Sequence, residues 1–217
     1  MKSRLAVAVL AALFAVGTPT LALAQAATTA AAPTSASSVV NQSATRVLSA
    51  LETRRAEFKA NPAALNAFIK TEFNRSFDSN YSARLVLGTY GRGASDADVA
   101  DFAAAMTDSL IGRYGTSLLD FNTKLQVKVK SEAPLPGGRG MRVSTVMLRQ
   151  GNQPVPVDYL LRNVGGQWKV FDVMIEGISY VQSFKNQFAA PLSQKSIREV
   201  ASDLRAGKLK ANGNTPK

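Results

Sequence analysis

The 217-residue chain carries 26 Lys+Arg against 15 Asp+Glu, a formal charge of +11, and contains neither histidine nor cysteine. Without cysteine there is no disulfide, no thiolate chemistry and no thiol for lipid attachment; without histidine the usual general base near neutral pH and the commonest metal ligand are missing. The basic excess favours anionic partners (nucleic acid, anionic headgroups or an acidic protein surface), with a merely solvated basic surface as the plain alternative.

Residues 1–24 read as a secretory signal peptide. Lys2 and Arg4 make a basic start, Leu5 to Val16 is apolar, and Ala22-Leu23-Ala24 is a small-x-small cleavage site. The apolar run is too short for a comfortable membrane anchor and Thr18-Pro19-Thr20 interrupts it. Its removal takes away two basic residues and leaves +9. A cysteine-free exported chain of ordinary domain size suits a bacterial periplasm, and export argues against nucleic acid as the partner. Residues 25–38, rich in Ala, Ser and Thr, read as a flexible leader, 39–210 as a single α+β domain, and 211–217 as a disordered tail.

From Val39 the pattern is helical, with Val47, Leu48, Leu51 and Phe58 as sparse apolar positions. Asn61-Pro62 starts a helix, asparagine as N-cap and proline at the first helical position, with Leu65, Phe68, Ile69 and Phe73 on one face. Phe77, Tyr81 and Leu85 continue in a short helix ending near Gly88. Ser95 to Asp98 resembles a capping box before the best-marked stripe, Val99, Phe102, Met106, Leu110, Tyr114 and Leu118, widened by Ile111 and Leu119. Asp96, Asp98 and Asp101 at its start suit the helix dipole; they lack the glycine and distal glutamate of a calcium loop.

Strands follow. Leu125, Val127 and Val129 alternate with lysines and glutamine, Pro134 to Gly140 turns, and Met141 to Arg149 places Val143, Thr145 and Met147 on one side. After Gly151-Asn152 two runs flank Gly165-Gly166, a hairpin signal. With a two-residue turn, Leu161 pairs with Val170, Tyr159 with Asp172 and Val157 with Met174. One face then holds Val157, Tyr159, Leu161, Trp168, Val170 and Met174, with Asp172 able to accept from the Tyr159 hydroxyl. The other face mixes Leu160, Phe171, Val173 and Ile175 with Asp158, Arg162 and Lys169. Beyond Glu176-Gly177 the period becomes helical through Tyr180, Val181, Phe184 and Phe188; Ile197, Val200, Ala201 and Leu204 mark a last helix.

Helices, then close-spaced strands, then helices predict an α+β fold: N-terminal helices, a four-stranded, mainly antiparallel sheet and C-terminal helices. No catalytic constellation stands out. There is no Gly-x-Ser-x-Gly elbow and no phosphate-binding loop, which excludes a resident nucleotide; no cofactor and no metal site is expected. A carboxylate hydrolase would draw on Asp158, Asp172 and Glu176, but Asp158 and Asp172 point to opposite faces in the register above.

The string VDYLLRNVGGQWKVFDVMIEGISYVQSFKNQF carries V-D-Y, G-x-W-K-V-x-D-V, E-G-x-S and F/Y-x-x-Q-F pieces in series. It resembles the MlaC, or toluene-tolerance, family of periplasmic phospholipid-binding proteins, and the similarity extends upstream through Tyr81 to Phe121. The resemblance implies a curved sheet covered by helices around an apolar pocket for acyl chains. It implies no catalytic residue and hence a carrier, not an enzyme. It further implies a monomer that shuttles phospholipid between an outer-membrane lipoprotein–porin complex and an inner-membrane ABC transporter complex, maintaining outer-membrane asymmetry, with transient membrane surface contact. Periodicity and the resemblance together give the lipid-lining candidates. From the helices these are Tyr81, Leu85, Phe102, Met106, Leu110, Tyr114, Tyr180, Phe184 and Phe188. From the strands they are Val127, Val143, Met147, Val157, Tyr159, Leu161, Val170 and Met174. Two alternatives stand beside this: a carrier of hopanoid-type lipid, and a solid-core adaptor module that binds a partner through its basic face.

Overall fold

Capping residues set where the helices begin. The computed structural model describes residues 35–119, 125–148 and 153–211. The signal peptide, most of the leader, the Gly151-Asn152 turn and the tail beyond Ala211 lie outside the described residues.

Helix α1 (Ala36–Thr53) is capped by Ser35, whose hydroxyl accepts from the Ser38 N–H, so it starts inside the stretch read as leader. Ala36 and Val40 are buried against Val143, Leu161 and Val170 of the sheet, which fixes that start. A short α2 (Arg55–Ala60) follows. Helix α3 (Pro62–Ser76) opens on Asn61, which accepts from the Ala64 N–H, with Pro62 where its missing N–H costs nothing. Asp78 caps α4 (Ser79–Leu87) through the Tyr81 N–H. Ser95 caps α5 (Asp96–Tyr114) through the Asp98 N–H. The α5 stripe runs past the helix: after Gly115 the chain tightens into a 3₁₀ turn, Thr116–Leu119, and Leu118 and Leu119 pack with α1–α3 instead.

The strands form an open antiparallel meander in the order β1-β2-β3-β4-β5. They are β1 (Gln126–Pro134), β2 (Met141–Leu148), β3 (Val155–Val164), β4 (Gln167–Ile175) and β5 (Ile178–Ser179). The sheet has five strands, not four, because the chain folds back after Gly177 and pairs Ile178 with Ile175 and Ser179 with Met174. Helices α6 (Tyr180–Gln194) and α7 (Ile197–Arg205) complete the order. α7 carries a full capping box between Ser196 and Glu199. It is clamped to α5 by Arg198 with Asp98 and by Arg205 with Asp101, the latter at 2.5 Å.

The β3–β4 hairpin has the expected two-residue turn, with Val164 opposite Gln167 and Leu161 opposite Val170. The expected register ends there. A bulge at Phe171 makes Leu160 pair with Asp172, Tyr159 with Val173 and Val157 with Ile175. One inserted residue reverses the parity of everything beyond it. Val173 and Ile175 therefore join the buried face, and Met174, opposite Asp158, turns to the other. Two contacts hold the bulge. The Ser82 hydroxyl of α4 donates to the Phe171 carbonyl at 2.7 Å, and the Asp78 N–H donates to the Val170 carbonyl at 2.8 Å.

The turn between β4 and β5 places Glu176 at φ 51, the one non-glycine residue at positive φ among the described residues, followed by Gly177 at φ 82. A left-handed conformation costs a non-glycine L-residue about 1–2 kcal/mol, less for Asn. Glu176→Asn is expected to raise the melting temperature by about 2–4 °C, which corresponds to about 1 kcal/mol in a chain of this size; an unchanged or lower value in thermal unfolding refutes the assignment of strain.

Candidate functional site

Between α3–α6 and the end of β4 lies a cavity of about 420 Å³. Its walls follow from helical spacing. On α5, Met106, Leu110 and Tyr114 are four residues apart and face it together. Tyr180, Val181 and Phe184 supply the first turn and a half of α6, and Ser79, Ser82 and Val86 come from α4. At the end of α3, Phe73 and Phe77 stack at 4.1 Å and 14° and form another wall. The sheet contributes Phe171, Asp172, Val173 and Ile175, which is to say the bulge and the two residues whose direction it reversed. Tyr114, at the C-terminal end of α5, is 39 % exposed and is the one exposed side chain among these lining residues.

Five of the sequence candidates, Met106, Leu110, Tyr114, Tyr180 and Phe184, are brought together on this surface. The other twelve lie elsewhere. Phe102 and Phe188 meet edge to face at 5.6 Å within the helical core behind the wall. Tyr81 stands edge-on to Phe171 at 5.3 Å, with the Arg162 guanidinium 4.2 Å above its ring, so it buttresses the wall from outside. Leu85 is half-buried on α4, one residue round from the lining Val86.

Val143, Leu161 and Val170 are buried beneath α1, with Tyr159 packed against them. The buried face of β3 is the expected one, but α1 packs over that part of it through Ala36 and Val40. Val157 is buried between Thr145 and Ile175. Val127 and Met147 pair across the first hairpin, away from the cavity. Met174 is displaced by the bulge. The sequence candidates do not include Phe73, Phe77, Val86, Val181 or the sheet residues at the bulge. Phe171, Val173 and Ile175 do carry a sequence signal, an apolar alternation on the face that looks mixed.

Among the described residues, Asp172 is the only acidic or basic side chain in the wall, and it is 6 % exposed. It does not meet Tyr159. Its carboxylate accepts from the Ser179 hydroxyl at 2.6 Å and from the Val181 N–H at 3.0 Å, tying the start of α6 to β4. Burial pushes its carboxyl above the usual range, partly opposed by those hydrogen bonds. The three carboxylates considered for hydrolysis do not converge. Asp158 lies 4.0 Å from Arg142, and Glu176 is exposed in the β4–β5 turn. No group of three or more acidic residues is placed to hold a metal among the described residues, and no described helix is long and apolar enough to cross a membrane.

A helix-covered antiparallel meander beside a cavity walled by aromatic and aliphatic side chains defines an α+β protein with an apolar pocket. The chain belongs to the MlaC family: the family model described as MlaC protein matches residues 41–206. Among relatives, it is 28 % identical over 188 residues to the toluene tolerance protein ttg2D of Pseudomonas putida, covering 82 % of this chain and 86 % of that one. It is 23 % identical over 172 residues to the intermembrane phospholipid transport system binding protein MlaC of Haemophilus influenzae, covering 78 % and 80 %. The fold matches that of a phospholipid-binding protein from Ralstonia solanacearum, solved with a phospholipid bound. That match has a TM-score of 0.70 at 19 % identity, over 80 % of this chain and 97 % of the other.

Proposed function

We propose that this protein is a periplasmic phospholipid carrier that holds acyl chains in the cavity between α5, α6 and β4. The observation that carries the reading is the wall itself, apolar but for one acidic side chain and a few hydroxyls, around about 420 Å³, within the usual range of about 300–1,000 Å³ for ligand pockets. The physical task is desolvation. At about 0.8 kcal/mol per methylene, two acyl chains of about thirty methylenes cost on the order of 20 kcal/mol to expose to water. A protein that takes part of the tails into a dry space removes a corresponding share of that barrier and needs no reactive group. The headgroup stays in water at a mouth beside Tyr114. The solid-core adaptor alternative expects a filled interior, and the cavity counts against it.

In this reading the chain is exported by its first 24 residues and exchanges lipid with an outer-membrane lipoprotein–porin complex and an inner-membrane ABC transporter complex, which supplies the energy. Its basic surface favours brief contact with anionic bilayers, and the outcome is maintained outer-membrane asymmetry. The names and bound ligand of the relatives support this assignment. Native mass spectrometry of the protein purified from a bacterial periplasm is expected to show an added mass in the phospholipid range. A hopanoid would register as a smaller, polycyclic mass. Protein of apo mass only, with no uptake from liposomes, overturns the carrier reading.

A further inference from the structure

A carboxylate in the wall of an oily cavity is an expensive choice, and its surroundings show no cation to offset it among the described residues. From α6 and α5 the titratable groups in the wall are the Tyr180 and Tyr114 hydroxyls; α3, α4 and β5 bring no charged side chain to it. The charged residues of the packed elements are engaged elsewhere. Arg84 of α4 pairs with Asp96, Glu72 of α3 pairs with both Arg75 and Arg46, Lys70 of α3 pairs with Asp108 of α5, Arg113 of α5 lies 5.5 Å over the Tyr114 ring, and Lys185 of α6 lies along Gly88. On β3 the residue opposite Asp172 is Leu160; Asp158 and Arg162, two places to either side, face Arg142 and Asp78. Asp172 is therefore held by hydrogen bonds alone, and two of its donors, Ser179 and Val181, begin the helix that walls the cavity.

We propose that Asp172 makes lipid retention proton-linked: the ionised carboxylate biases the first turn of α6 toward lifting from β4, and the protonated acid keeps that wall shut. The inference rests on the carrier reading above. Its sign follows from hydration. With the wall closed, burial disfavours the charged form and raises the affinity for a proton. When the turn lifts, the carboxylate exchanges its bonds to Ser179 and Val181 for water and the burial cost disappears; burial is the larger effect, since the carboxyl is raised in spite of those bonds. Protons therefore favour the closed state, and acyl chains that displace water from the cavity act in the same direction, so lipid binding takes up a proton and strengthens as pH falls. The amide introduced by Asp172→Asn is neutral at every pH, can still accept from the Val181 N–H, and can donate to the Ser179 hydroxyl.

The test loads the full chain with a fluorescent phospholipid and follows transfer to phosphatidylcholine vesicles between about pH 4 and 8. Wild-type transfer is expected to quicken several-fold from the acid end to the neutral end. Asp172→Asn is expected to stay at the slow acid rate throughout. Ser179→Ala removes a donor that favours the anion and is expected to move the profile to higher pH. A wild-type rate independent of pH, or an Asp172→Asn profile that follows wild type, overturns the proposal. The wild-type arm decides even if a variant fails to fold. Protein that takes up no lipid at any pH overturns the carrier reading itself, a result distinct from a loaded protein with a flat profile.

Discussion

Leu110→Asp is expected to give a folded protein that carries no lipid. Leu110 sits between Met106 and Tyr114 on the cavity face of α5, half-buried, with empty space before it. In the empty protein water entering the mouth can hydrate the new carboxylate, so folding loses little beyond the leucine's own packing. Once acyl chains fill the space the charge has neither water nor partner, and burying such a group costs several kcal/mol. At about 1.4 kcal/mol per factor of ten, retention falls by at least about a hundredfold. Leu161→Ala is the contrasting case. Leu161 is fully buried under α1 and away from the cavity. That change is expected to lower stability by about 2–5 kcal/mol while the folded fraction still loads. Bound phospholipid per protein, measured beside thermal unfolding, separates the two. Normal loading of Leu110→Asp means the tails lie somewhere other than this cavity.

The contrast marks where reading the chain succeeds. Local rules transfer well because their causes are local. Asn61-Pro62 and Ser95 cap helices because a side-chain oxygen three residues ahead of a free N–H has little else to do. Gly165-Gly166 makes the tight hairpin because glycine reaches positive φ freely. The four-residue rhythm of Met106, Leu110 and Tyr114 sets a shared face whatever the neighbours are. The bulge at Phe171 is different. Nothing in F-D-V declares an extra residue; it is set by Ser82 and Asp78, about ninety residues upstream, bonding to the β4 backbone. A period-2 argument propagates such a slip to every later residue, which puts Met174 inward and Val173 and Ile175 outward, the reverse of what the structure shows.

The second source of error is coverage. Periodicity tells which face is buried, not what buries it. Val143, Leu161 and Val170 lie on the expected side of the sheet, yet α1 packs over them, while the helices over the end of β4 stand away from it. The anchoring of the ends is equally hidden. Ala36 and Ala211, small residues in low-complexity surroundings, are both fully buried, Ala36 against the sheet and Ala211 with its N–H bonded to the Ser109 hydroxyl of α5. Composition marks such alanines as linker; only the partner surface makes them core.

Gly140→Ala tests the close approach that holds the first two hairpins together. Gly140 precedes β2 at φ 145, and its carbonyl accepts from the Leu135 N–H at 2.8 Å, closing the β1–β2 turn. A methyl group there would lie 1.9 Å from the Leu161 carbonyl oxygen and 3.0 Å from its carbon. Neither side can yield cheaply. Leu161 is buried and paired with both Met141 and Val170, so β3 is fixed by its two neighbours. The remaining route is to displace Gly140, losing the turn bond and the start of β2. A loss of more than about 4 kcal/mol is expected, in the range reserved for severe backbone or core defects, and a fall in melting temperature of about 8–16 °C at this chain length. Gly138→Ala is the measure of conformation alone. Gly138 is also at positive φ, 66, but an added carbon meets nothing within 4 Å, so only the left-handed cost of about 1–2 kcal/mol applies. Gly140 at φ 145 lies in a region side chains rarely adopt, so the difference between the two variants measures the contact and that extra backbone cost together. Equal melting temperatures would mean that β2 and β3 do not approach as described, and with them would go the register that carries Tyr159 to Val173 and sets the sheet side of the cavity.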